Sequence, residues 1–161
     1  MQRALKASIA FVDQYRLVEA TAAYLEFLKL GGCIRMRPLN ETLVMETLEA
    51  GRPILCGVSA TYLYSESRER PRLAEERDPA RPLERAIYDD VGGHPAGHFV
   101  IVHGYDRSTG TVVIADPLHP NPLSQRQTYT APFSQLAASI LLGILTYDAN
   151  LLVIEPKGSL R

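Results

Sequence analysis

At 161 residues, with 17 Lys+Arg against 18 Asp+Glu, the chain has room for one domain, residues 1–161, with a core that needs no staples. Its 46% hydrophobic and 22% charged composition excludes a collagen-like or disordered chain, and a net charge of −1 leaves no basic excess to neutralise nucleic-acid phosphates. Two cysteines make no disulfide framework, no apolar run reaches the ~20 residues that span a bilayer, and the start lacks a secretory signal, so a soluble, cytoplasmic protein is expected.

Residues 4–30 read as a helix, with Leu5, Ile9, Val12, Leu17, Ala20, Tyr24, Phe27 and Leu28 at three- and four-residue spacing. Gly31-Gly32 ends it. Alternation over Cys33–Arg37 suggests a short strand. Asn40, with Thr42 as a weaker choice, is a plausible N-cap for a helix running to Ala50, which Gly51 stops. Pro53–Val58 (PILCGV) reads as a buried strand, and Thr61–Tyr64 stays apolar without declaring a conformation.

Residues 66–90 change character: 14 of these 25 are Asp, Glu or Arg, interrupted by Pro71, Pro79 and Pro82. So much charge with proline cannot bury enough surface to offset its ordering entropy. An exposed, mobile insertion is expected, with one helical turn over Glu84–Tyr88. A tolerated surface loop fits it better than a lid over a cleft.

His98–Tyr105 (HFVIVHGY) and Thr111–Ala115 (TVVIA) flank the polar turn DRSTG, the strongest hairpin signal in the chain. Thr128–Thr130 suggests a short strand, Ser134–Leu145 a helix containing Gly143, and Asn150–Glu155 a last strand. These elements predict an α+β domain with N-terminal helices against an antiparallel sheet.

The hairpin also carries the residues that could do chemistry. If its turn centres near residue 107 or 108 without a bulge, residues of equal parity pair, and His98 and Asp116 share a face at the open end. Cross-strand neighbours of that kind sit roughly 4.5–8 Å apart at Cβ, within reach of an imidazole–carboxylate hydrogen bond. A histidine so held is the base-and-orienter half of a nucleophilic triad, although such contacts are also common as structural pairs. His103 falls on the opposite face and reads as structural.

The stretch GHFVIVHGYDRSTGTVVIADPL (residues 97–118) resembles the histidine–aspartate hairpin of the bacterial double-glycine leader peptidases and their stand-alone relatives, which are papain-like cysteine peptidases. LEAGRPILCGVSATYLY (48–64) and LTYDANLLVIEP (145–156) are similar to flanking segments of that family, so the likeness covers about residues 40–156. It implies a papain-like fold, a peptide or protein substrate, His98 as general base and Asp116 as the residue that orients it. In the family the nucleophile is a cysteine opening a helix in the N-terminal half, after a glutamine that helps form the oxyanion hole. No Gln…Cys-Gly-Pro segment occurs in this sequence. The expectation is therefore the C-terminal portion of such a peptidase, a sequence whose start is set too late, or a domain that has lost its nucleophile, and in each case inactive alone.

Cys56-Gly-Val-Ser-Ala superficially echoes the opening of a nucleophile helix, where a thiolate is favoured. It follows Pro-Ile-Leu directly, however, so an inert strand cysteine is the favoured reading of Cys56, and Cys33 is a weaker candidate still. His94, His98, Asp116 and His119 would suit zinc by ligand type, but their spacing fits no metal site. No metal or cofactor is expected. The tyrosines Tyr62, Tyr64, Tyr88, Tyr105, Tyr129 and Tyr147 read as scattered core residues. Apolar surface left uncovered by the missing half should drive homo-oligomerisation or capture of a partner chain. A non-catalytic peptide-binding or interaction domain is the alternative to a peptidase.

Overall fold

In the computed structural model, which describes residues 18–71, 73, 86–143 and 150–155, the chain divides into two units, residues 1–38 and 39–161. In the first, helix α1 occupies 18–29, and Gly31 leaves it at φ +92°, a left-handed conformation that glycine adopts without strain. The expected helical residues 4–17 lie outside the described residues. The strand expected over Cys33–Arg37 is absent: this stretch is irregular, with Ile34 and Met36 45% and 96% exposed. Alternation predicts a strand only where a neighbour and a buried face exist to reward it, and among the described residues 33–37 belongs to neither sheet.

The second unit begins with α2 (Glu41–Glu49), whose N-cap Asn40 accepts a hydrogen bond from the Leu43 N–H at 2.9 Å. Gly51 follows its C-terminus at φ +73°. The sequence predicts both ends correctly because each is fixed by a local cap. Strand β1 (Ile54–Ser59) comes next, buried at five of its six positions. Ser59 then caps α3 (Ala60–Tyr64) by accepting from the Tyr62 N–H at 3.3 Å, so the undeclared Thr61–Tyr64 segment is helical.

The charged segment contributes a second, two-stranded sheet. Its ends form β2 (Glu69–Pro71) and β3 (Ala86–Tyr88), paired antiparallel as Glu69↔Tyr88 and Arg70↔Ile87. The helical turn expected over Glu84–Tyr88 is therefore replaced by strand from Ala86 onward. Residue 72 and residues 74–85 lie outside the described residues. Beyond β3, Asp89 Oδ1 accepts from the Val91 and Gly92 N–H groups at 3.0 and 2.8 Å. Gly93 sits so close to the Asp89 carbonyl that a Cβ would lie 2.3 Å from it.

Strands β4 (Gly97–Asp106) and β5 (Thr111–Ala115) form the expected hairpin, followed by β6 (Thr128–Pro132), α4 (Phe133–Leu141) and β7 (Leu151–Val153). Helix α4 ends at Leu141 with Gly143 beyond it, and residues 144–145 of the predicted helix lie outside the described residues. The sheet order is β6-β5-β4-β1-β7, antiparallel throughout. One row of partners, Val153, Ile54, Val102, Ile114 and Tyr129, crosses all five strands. Its face packs against Val44 of α2, Leu63 and Tyr64 of α3, and Leu136 and Ile140 of α4 to form the core. The helices of this unit thus cover one face of the sheet, while Phe99, Ile101 and Leu152 on the other face are 46%, 42% and 40% exposed.

The hairpin register departs from the regular ladder. Near the turn Tyr105 pairs with Val112 and Gly104 with Val113, whereas beyond a bulge at His103, Val102 pairs with Ile114. Without that extra residue, partners would have opposite parity. The bulge restores the equal parity expected at the open end, and Gly104 makes room beside Val113, whose Cγ2 would be 2.8 Å from an added Cβ.

Candidate active site

His98 and Asp116 share the core-facing side of the sheet, one on β4 and the other just past β5. His98 sits opposite Val58 of β1, and Asp116 anchors the chain through its N–H to the Gln127 carbonyl at 2.8 Å. Their side chains meet, with His98 Nε2 2.8 Å from Asp116 Oδ1. The histidine side chain keeps 21% exposure and the carboxylate none. With Nε2 committed to Asp116, Nδ1 is the ring nitrogen left for a proton exchange.

A carboxylate cut off from water must find donors in the protein. Asp116 Oδ2 accepts from the Tyr64 hydroxyl at 2.7 Å and from the Tyr129 hydroxyl at 2.8 Å. Oδ1 accepts from the Leu118 N–H at 2.8 Å in addition to His98. Burial by itself would raise the Asp116 pKa, but these donors outweigh it and hold the carboxyl below its ordinary value. The same burial and the anion they bond push both phenols well above the usual tyrosine range, so both remain donors.

The two tyrosines are what sequence reasoning missed. Tyr64 and Tyr129 are buried, as core tyrosines should be, but their hydroxyls converge on one carboxylate oxygen. Tyr62 and Tyr88 are instead 45% and 66% exposed, and Tyr147 lies outside the described residues. Tyr129 could have been suspected from β6, since it alternates onto the core face beside Ile114. Tyr64 approaches from α3 across 52 residues of sequence, and no local signal marks that contact. Asn121 was also missed. Buried in the loop after Asp116, it accepts from the Leu123 and Ser124 N–H groups at 3.1 and 2.8 Å and donates to the Leu118 carbonyl at 3.3 Å, which steadies the segment holding the Leu118 donor.

Cys56 is not at a helix start. It lies within β1, 1% exposed, on the core face opposite Val100, with Sγ directed to the Ile54 carbonyl at 3.8 Å. Burial pushes its thiol up to about 12, so it stays neutral, and the first helix after it begins at Ala60. Cys33, in the first unit, is exposed. His94 bridges Glu69 at the end of β2, and His119 is on the exposed loop after Asp116. Among the described residues no three His, Cys, Asp or Glu side chains gather as metal ligands. An open cleft of about 710 Å³ lies between α3 and α4, lined by Ser59, Thr61, Tyr62, Ser134 and Gln135 among others. His98 and Asp116 do not line it.

A family model, that of the Peptidase_C39 like family, matches residues 4–140. The chain belongs to the Peptidase_C39 like family. The match takes in α1 and the whole His98–Asp116 hairpin but ends before β7, whereas the likeness seen in the sequence runs from about residue 40 to 156. No curated protein and no solved structure matches the chain. Membership makes this a peptidase-like domain, and its mixed helix and antiparallel sheet agree with that at the level of fold class. No helix among the described residues is long and apolar enough to cross a membrane.

Because the Asp116 carboxyl is held below its ordinary value, its stabilising contribution is complete above the unfolded-state pKa of about 3.9 and is lost as pH falls through the folded-state value. Asp116→Asn is expected to cost about 2 kcal/mol or more at pH 7. It should also flatten the decline in stability below about pH 4, read from urea midpoints between pH 3 and 7. Equal acid slopes in the two proteins would contradict this assignment.

Proposed function

We propose that this member of the Peptidase_C39 like family is a cysteine-peptidase-like domain of the stand-alone kind, retaining the histidine and aspartate of a Cys-His-Asp triad. His98 is the general base and Asp116 the residue that holds its ring. The observation that carries the proposal is the 2.8 Å contact between His98 Nε2 and a fully buried Asp116 carboxylate, with the imidazole still reachable from solvent. In a complete site a thiolate attacks the peptide carbonyl, His98 moves the proton from thiol to leaving amine, and the carboxylate stabilises the imidazolium between the two transfers.

The chain alone does not hydrolyse peptides in this reading. Cys56, the cysteine of the same unit, is sealed in β1 as a neutral thiol, and a base with its orienter cannot form an acyl-enzyme without a nucleophile. The same neutral thiol favours the second reading, a peptide-binding or interaction domain derived from a peptidase. The proposal includes a cytoplasmic setting, consistent with two unpaired cysteines. It also includes association with a second copy or a partner chain, supported by the half-exposed Phe99, Ile101 and Leu152 on the sheet face opposite α2, α3 and α4.

A peptide bearing a thiol-reactive electrophile, incubated with the whole protein at pH 7, is expected to leave Cys56 unlabelled. Labelling of Cys56 that disappears in His98→Ala would overturn the inactivity. Sedimentation of the purified chain should give a mass above the 17.8 kDa of one copy, or a monomer that binds an apolar dye strongly. A monodisperse monomer with little dye binding would sink the association.

A further inference from the structure

We propose that Tyr64 and Tyr129 are positioning residues for His98: by donating both hydroxyls to Oδ2 of Asp116, they turn Oδ1 toward the imidazole, fix the Nε2–H tautomer and leave the Nδ1 lone pair free to take a proton. The inference rests on the general-base reading of His98 and deepens it.

Two buried phenols could each have met their hydrogen-bonding need at any nearby carbonyl. Instead they reach the same oxygen at 2.7 and 2.8 Å from different layers, Tyr64 from α3 and Tyr129 from β6. A carboxylate with no other donors could rotate and offer either oxygen to the ring. Here Oδ2 is saturated by two hydroxyls, and Oδ1 is tied to the Leu118 N–H at 2.8 Å as well as to His98. The carboxylate plane is thus fixed from three directions besides that of the histidine. Tyr64 acts twice, because its ring also lies against the imidazole, with centroids 6.1 Å apart and planes tilted by 47°. The hydroxyls further spread the negative charge of Asp116, so they moderate how strongly it holds a proton on His98. A carboxylate that pinned the imidazolium too firmly would leave a poor general base near neutral pH.

Removing one hydroxyl while keeping the ring, as in Tyr64→Phe or Tyr129→Phe, should concentrate charge on Asp116 and raise the proton affinity of His98. The readout is the pH titration and tautomer of the His98 ring in long-range proton–nitrogen spectra of the labelled full chain, assigned through His98→Gln. We expect the wild-type neutral ring to carry its proton on Nε2. Each Phe variant should raise the proton affinity about three- to tenfold, a shift of about 0.5 to 1 pH unit in the titration midpoint. A titration unchanged in both variants overturns the positioning role. Should one variant not fold, the other decides, and an Nδ1–H wild-type ring overturns the proposal whatever the variants do. Neither readout needs turnover, so this test stands whether or not the electrophile labels Cys56.

Discussion

A carboxylate without access to water is the constraint on which this architecture turns. Asp116 has no exposed side-chain surface, and an ionised carboxylate in that position is tolerable only if the protein replaces its hydration shell. Four donors do so, and each comes from a different part of the fold: His98 from β4, Tyr64 from α3, Tyr129 from β6 and the Leu118 N–H from the loop that follows. Sheet, helix layer and loop must therefore all be in place before the anion is satisfied. A defect in any one leaves a buried charge short of a partner.

Several features of the fold serve that arrangement. The bulge at His103 sets the hairpin register so that His98 and Asp116 emerge on the same face. Ser59 starts α3 at the end of β1, which brings Tyr64 over the sheet five residues later. Asn121 organises the loop, and the β5–β6 register sets Tyr129 beside Ile114, one step from Asp116. These are local devices, each a cap, a bulge or a turn, and their common product is a histidine with one nitrogen spoken for and the other open.

The parts of this structure governed by local chemistry were legible in the sequence. The Asn40 cap, the Gly51 stop, the apolar run of β1 and the β4–β5 hairpin all carry their signals within ten or so residues. The His98–Asp116 alignment was anticipated from a regular ladder. In the real ladder the turn pairs residues of opposite parity, and only the bulge recovers the shared face. Long-range contacts left no such trace. Tyr64 reads as one more apolar position after β1, and its bond to Asp116 exists only once α3 folds over the sheet. The β2–β3 pairing was hidden because charge and proline dominate the segment between those strands, while Glu69–Pro71 and Ala86–Tyr88 are too short to show a period. Cys33–Arg37 failed in the other direction, having a period but, among the described residues, no strand partner.

Membership of the Peptidase_C39 like family gives this pair a chemical context, and the geometry gives it a physical one. Both depend on the imidazole and the carboxylate interacting in solution as they do across 2.8 Å. The most direct measurement is a double-mutant cycle in unfolding free energy at pH 7, comparing wild type, His98→Gln, Asp116→Asn and the double variant. A coupling of about 1–3 kcal/mol between the two positions is predicted for a hydrogen bond to a buried anion. Additivity to within about 0.5 kcal/mol would mean that the two side chains do not act as a unit, and would contradict the account at its base.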